Sequence, residues 1–302
     1  MKRTKFRFNH QTYQISETAT SYVLMTPALF LMAVLFFIPL AQVFGMSFTN
    51  MNLIRGTQEY NGLANYEFLL TAQRFWQATA NTSIYSVIKI SVGLFLAVAT
   101  ALMLDMKIPL RKLIRIIYFA PVVVSVVASS MIWLWFYDPG IGPLNQILKA
   151  VGLPPLKWLY DAKTSLISIT IFSIWHGVGY NVVILLAGLQ SISDTYIEAA
   201  RVEGASEFQM VRYIKLPLLA PTFSFVLMMD IISSFKSFTD VNVMTPTGGP
   251  NYSTGMIVNY IYEQAFTNSR MGRGSAASIL LFLIILVLTL LQKRIERRKA
   301  EG

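Results

Sequence analysis

The residues that could do chemistry in this chain fall into two groups. One is a polar stretch, residues 191–217, which reads SISDTYIEAARVEGASEFQMVRYIKLP. The other is a set of ionisable and hydroxyl groups lodged in long apolar runs: Lys89, Asp230, Ser233, Ser234, Lys236 and Ser237. Neither group has the make-up of a hydrolytic or metal centre. The chain has no cysteine, which excludes disulfides, thiolate metal sites and cysteine nucleophiles. Its two histidines, His10 and His176, are far apart in sequence and argue against a histidine-rich metal site. The nucleotide-binding pattern G-x-x-x-x-G-K-[ST] is absent, and the apolar runs hold no convincing nucleophile–base pair. No catalytic residue and no metal ligand is expected. What remains open to these groups is hydrogen bonding, ion pairing and contact with other chains.

The elements that must position them are read from hydropathy. Of 302 residues, 54% are hydrophobic and only 13% charged, against roughly a quarter charged in soluble domains. The mean hydropathy is +0.53. Six segments are long and apolar enough to cross a bilayer, which takes about 20 residues of helix: residues 22–48, 78–104, 116–136, 166–189, 218–243 and 276–291. The first run is much longer than a signal-peptide core and no small-residue cleavage site follows it, so it is expected to stay as a span. The reading is an all-α polytopic protein in three parts: an N-terminal segment, residues 1–21, a six-span domain, 22–291, and a basic tail, 292–302.

The net charge of +10 would suit nucleic acid if it formed a patch, but it follows the topology instead. The N-terminus, second loop, fourth loop and C-terminal tail hold 16 of the 25 Lys and Arg. The opposite side holds 7, and Lys89 and Lys236 lie within spans. Cytoplasmic loops carry the positive excess, so both termini are expected inside, with no nucleic-acid partner. Trp133, Trp135 and Tyr137 gather at the outer end of the third span, where amphipathic rings favour the headgroup layer; helix packing is the alternative.

The fourth loop therefore faces the cytoplasm, and it is too structured for a linker. Thr195 and Glu198 have capping-box spacing, which predicts a helix from near Tyr196. Gly204 suits the left-handed residue past its end. Ser206 and Gln209 repeat the spacing, and Pro217 disfavours helix at Leu216. Helix, glycine turn, helix makes a compact knob, with Ile197, Ala200, Phe208, Met210 and Val211 supplying apolar contacts. Taken singly, Glu198 could be only a cap, and Ala199 and Ala200 only good helix formers.

Within the spans, ionisable groups are functional candidates by default. Asp230, Ser233, Ser234 and Ser237 follow the spacing of one helical face, which suits a polyhydroxylated solute. Membrane serines also serve as packing residues or bond their own backbone, and Lys89 and Lys236 could snorkel to an interface. Trp175-His176-Gly177-Val178-Gly179-Tyr180-Asn181 is unusually polar and glycine-rich for a lipid-facing helix.

Glu198-Ala199-Ala200, then Gly204, then Ile214-x-Leu216-Pro217, resembles the EAA loop of binding-protein-dependent ABC importer permeases. The resemblance covers most of the chain. Gly62-Leu63-Ala64-Asn65-Tyr66, Asn81-Thr82, Thr247-Gly248-Gly249-Pro250 with Ser253-Thr254, and Tyr262-Glu263-Gln264-Ala265-Phe266 look like segments of the carbohydrate-uptake, maltose-type group. The departure is Thr245-Pro246-Thr247, where a shorter approach to the glycines is usual.

The resemblance implies a type I importer permease fold in a bacterial or archaeal plasma membrane. It also implies four kinds of partner: a second permease subunit, an ATPase dimer that binds the ATP and Mg, an extracytoplasmic solute-binding protein, and membrane lipid. Glu198 would make polar contacts with the ATPase, Ala199 and Ala200 would allow close packing, and Gly204 would give the turn. Gly177 and Tyr180 fall near positions where maltose-type permeases contact sugar. The implied cargo is a di- or oligosaccharide. A glycerol phosphate ester in the same machine is the alternative. A stand-alone secondary transporter would need no ATPase and leaves the knob unexplained.

Overall fold

The computed structural model describes residues 3–8, 11–106 and 111–301. Lys2, His10 and Lys107 lie outside the described residues. Among the described residues the protein is a helical bundle with five helices long and apolar enough to cross a membrane, and up to six spans if one bent helix pair is counted as one. The spans are Thr20–Met46, Gln73–Asp105, Ile116–Val123 with Val126–Phe136, Ser165–Gln190, Glu207–Met244 and Met271–Arg297. Five of the six expected spans are single helices, and the sixth, the expected third span, corresponds to the bent pair. The all-α reading departs from the structure at the N-terminus, where Arg3–Phe8 and Gln11–Ser16 pair as antiparallel strands.

The third span is not the continuous helix expected over residues 116–136. Its two halves are bent by 109° relative to each other. Pro121 removes one helical donor in the first half, and Ser125 adopts an extended conformation (φ −53°, ψ 132°) that starts the second. Bare backbone at such a break is costly inside a bilayer unless protein satisfies it. His176 does this from span four: its Nε2 lies 3.2 Å from the Val124 carbonyl. A carbonyl only accepts, so this ring nitrogen is the donor.

Two other prolines are absorbed rather than obeyed. Pro217 was expected to end helix at Leu216, but the helix runs through it into span five. A single π turn, Val211–Lys215, precedes it, and Leu216 N–H reaches back five residues to Val211. Span one repeats the device, with a π turn at Ala33–Phe37 ahead of Pro39 and Ile38 N–H bonded to Ala33. Proline lacks an N–H and crowds the carbonyl four residues back; the wider turn makes room for it.

Three apolar clusters hold the bundle. At the knob end of the bundle Leu94, Ala97 and Leu104 of span two meet Val182, Leu185 and Leu189 of span four and Leu219 and Val226 of span five. Toward the opposite end Tyr85, Tyr137, Ile169, Phe172, Val241 and Met244 form a second core, and Phe75, Phe235, Tyr260 and Leu281 a third beside span six. Trp133 and Tyr137 belong to the packing: Trp133 lies 5.2 Å from the Trp175 ring, and the buried Tyr137 hydroxyl donates to Ser168 O at 2.7 Å. Trp135 is half exposed.

Candidate functional site

The knob is built by local hydrogen bonding. Its first helix is Asp194–Val202, and the cap is Ser193, whose Oγ accepts from Thr195 N–H at 3.3 Å. The expected cap at Thr195 is thus displaced by two residues, and Glu198 is not a capping-box partner. Glu198 and Ala199 are exposed, while Ala200 is buried beneath them. Gly204 ends the helix at φ +82°. Ala205 N–H donates to Ala200 O at 2.9 Å and Gly204 N–H to Arg201 O at 3.0 Å, the paired bonds of a Schellman ending. Nothing lies within 4 Å of a Cβ added at Gly204, so conformation rather than space requires glycine.

The second half begins with the capping box expected from sequence. Ser206 N–H donates to Gln209 Oε1 at 2.7 Å, and Gln209 N–H to Ser206 Oγ at 3.3 Å. Arg201 and Glu207 pair at 3.4 Å across the glycine turn. Behind the knob is a cleft of about 700 Å³ lined by Asp105, Gln190, Asp194, Glu198, Arg201 and Lys215, among others.

The second candidate region lies between spans two, four and five. Asp240 accepts from Ser173 Oγ at 2.6 Å and from Ser237 Oγ at 2.8 Å. Ser237 Oγ is 3.2 Å from the Tyr85 hydroxyl. Asn181 Nδ2 donates to Asp230 Oδ2 at 2.7 Å. Lys89 lies over the Tyr85 ring, 5.4 Å from its centroid, and within electrostatic reach of Asp240 and Asp230. Hydroxyls, amides and charges in hydrocarbon need such partners.

The single face drawn through Asp230, Ser233, Ser234 and Ser237 does not survive. Regular helix stops at Phe235 and resumes only at Thr239–Met244, so Ser237 sits in the break. Ser234 is fully buried, whereas Ser233 is exposed and donates to Asp230 O at 3.2 Å. Lys236 occupies the exposed turn. Sequence reasoning missed Asp240, although an acid in the same apolar run as Asp230 was the available signal. It also missed Gly179, where an added Cβ would stand 2.0 Å from the Tyr118 carbonyl of the bent third span. Gly177, by contrast, has nothing within 4 Å, and Tyr180 is 48% exposed.

A third cluster, at the end of the bundle away from the knob, joins segments noted separately in the sequence. Gly248 and Gly249 take φ of +87° and +69°. Asn81 Nδ2 donates to both Tyr252 O and Gly255 O at 3.0 Å, and Thr82 Oγ1 accepts from Ile257 N–H at 2.9 Å. Arg74 pairs with Glu263 at 3.1 Å. Burial, with Glu263 beside it, pushes the Tyr252 phenol up, so it stays protonated as a donor to Glu263.

The geometry is that of a polytopic helical scaffold with a structured knob between its fourth and fifth spans. Residues 89–301 match the family described as binding-protein-dependent transport system inner membrane component, and the chain belongs to it. It is 30% identical to the arabinooligosaccharides transport system permease protein AraP of Halalkalibacterium halodurans, over 93% of this chain and 89% of that one. It is 30% identical to the trehalose/maltose transport system permease protein MalF of Thermococcus litoralis, over 93% and 95%. Among solved structures, a bacterial alginate ABC transporter in complex with an alginate pentasaccharide-bound periplasmic protein contains a chain with the same fold. It matches with TM-score 0.80 and 24% identity, over 92% of this chain and 94% of that one. The chain is a multi-pass inner-membrane protein, and ATP hydrolysis belongs to a separate subunit.

Proposed function

We propose that this permease imports a di- or oligosaccharide handed to it by an extracytoplasmic solute-binding protein. A second permease subunit completes the pathway, both termini face the cytoplasm, and a partner ATPase dimer carries the ATP and Mg. The observation that carries this reading is the pre-formed knob. Its Schellman turn and capping box fix two short helices rigidly, while Glu198 and Ala199 are left exposed and free of capping duty. An element that transmits force needs this combination of stiffness and open surface. Glu198 supplies a charge for the ATPase, Ala199 and the underlying Ala200 let it approach closely, and Gly204 holds the turn.

The carbohydrate assignment is supported by the polar cluster and by relatives whose named cargo is saccharide. Gly177, Tyr180, Asp230, Ser233 and Ser237 are the pathway residues in this reading. The exposed Tyr180 ring offers a stacking face for a sugar. Ser234, buried against the bundle, is left out. The test is uptake by the assembled importer across a panel of labelled oligosaccharides and glycerol phosphate esters, with Tyr180→Ala and Ser237→Ala alongside. Saccharide uptake that falls in both variants without loss of assembly is expected. Unchanged kinetics in both would remove them from the pathway, and uptake of only the phosphate esters would replace the cargo.

A further inference from the structure

The knob is joined to span five through an irregular stretch of helix. Pro217, directly after the π turn Val211–Lys215, interrupts the regular hydrogen-bond ladder where displacement of the knob has to pass into span five. A force applied at Glu198 would bend this joint unless another contact by-passes it. Lys215, the last residue of the π turn, supplies one: its Nζ lies 2.6 Å from Asp105 Oδ2 at the knob end of span two.

This pair differs from the other ion pairs among the described residues. Its side chains are 13% and 17% exposed, against 61% and 59% for Arg201–Glu207 and 64% and 29% for Arg74–Glu263. Exposed pairs contribute little, whereas breaking a mostly buried pair leaves an uncompensated charge. Asp105 is also well founded: Leu104 beside it is fully buried in the knob-end core, with Ala97 and Ala101 of the same span and Leu185 and Leu189 of span four.

We propose that the Lys215–Asp105 pair is a positioning contact that carries displacement of the knob directly into span two, by-passing the joint at Pro217. Span two then moves with the knob, and through the knob-end core takes span four with it. This rests on the knob being the ATPase contact, and the two ideas fail in different ways.

The chain has no cysteine, so spin labels can be placed at will. Tyr196→Cys on the knob and Met103→Cys on span two both sit at exposed positions. In the complete importer in lipid, pulsed dipolar spectroscopy would read their separation before and after ATP, with ATPase co-purification measured in parallel. The expected result is a separation that ATP leaves unchanged in the parent and shifts by several ångströms in Lys215→Met. The swap Lys215→Asp with Asp105→Lys is expected to restore the parental result. A parental separation that already changes with ATP, or a Lys215→Met variant that behaves as the parent, overturns the proposal. So does a swap that restores nothing, or a Lys215→Met variant that sheds the ATPase. Retention of the ATPase by Gly204→Asp would instead refute the knob as its docking element.

Discussion

The knob and the polar cluster between the spans are both built from serines, acids and glycines, yet they are held together in opposite ways. In the knob the bonds that set the shape join residues at most six apart, such as Ser206 with Gln209 and Ala205 with Ala200. In the cluster the bonds that tie one span to another join residues 49 to 152 apart, such as Asn181 with Asp230 and Tyr85 with Ser237. Water can stand in for a lost partner at the knob's surface. In the bundle it cannot, so each group there depends on a neighbour delivered by the fold. Substitutions in the knob should therefore damage coupling more than stability, and substitutions in the bundle the reverse.

The largest expected effect tests the first half of that contrast. Gly204→Asp forces a non-glycine residue to φ +82°, at a cost of about 1–2 kcal/mol. Uptake is expected to drop by roughly tenfold or more, with loss of ATPase co-purification and little change in the thermal midpoint of the isolated subunit. A collapse of that midpoint would place the glycine in the fold rather than the coupling.

Next comes a pair of glycines two residues apart. Gly179→Val drives a side chain into the Tyr118 carbonyl and should cost about 1–3 kcal/mol or more, seen as a lower unfolding temperature in detergent. Gly177→Val meets nothing and should keep the parental temperature while altering uptake. Equal destabilisation by the two would break the distinction. A smaller difference is expected between the two acids. Asp240→Asn weakens bonds from two hydroxyls and Asp230→Asn from one amide, and hydrogen bonds to charged groups contribute about 1.5–3 kcal/mol each. Chemical denaturation should rank Asp240→Asn as the less stable variant.

Ser206→Ala should have the smallest effect. It removes one cap at about 1 kcal/mol, so amide exchange of Glu207–Met210 should quicken while uptake stays near the parental rate.

How much could be read in advance follows the same division. Spans and knob were legible because each signal is local: an apolar run, a capping spacing, a glycine at a helix end. The errors inside the knob were also local. Ser193 outcompeted Thr195 as cap, and a π turn let helix continue through Pro217. The break in span three was not legible, although Pro121 marked it, because the bend also depends on His176 of another span bonding the freed Val124 carbonyl. The face drawn through Ser233, Ser234 and Ser237 assumed an unbroken helix, and the helix ends at Phe235. Asp240 gains its meaning only from Ser173, 67 residues away.

The most direct test of the account is ATP-dependent uptake of a labelled oligosaccharide by vesicles holding this permease, its partner permease, the ATPase and the binding protein. Accumulation that requires ATP and the ATPase, and that Gly204→Asp abolishes, is the predicted result. Accumulation without the ATPase, or undiminished in Gly204→Asp, would contradict it.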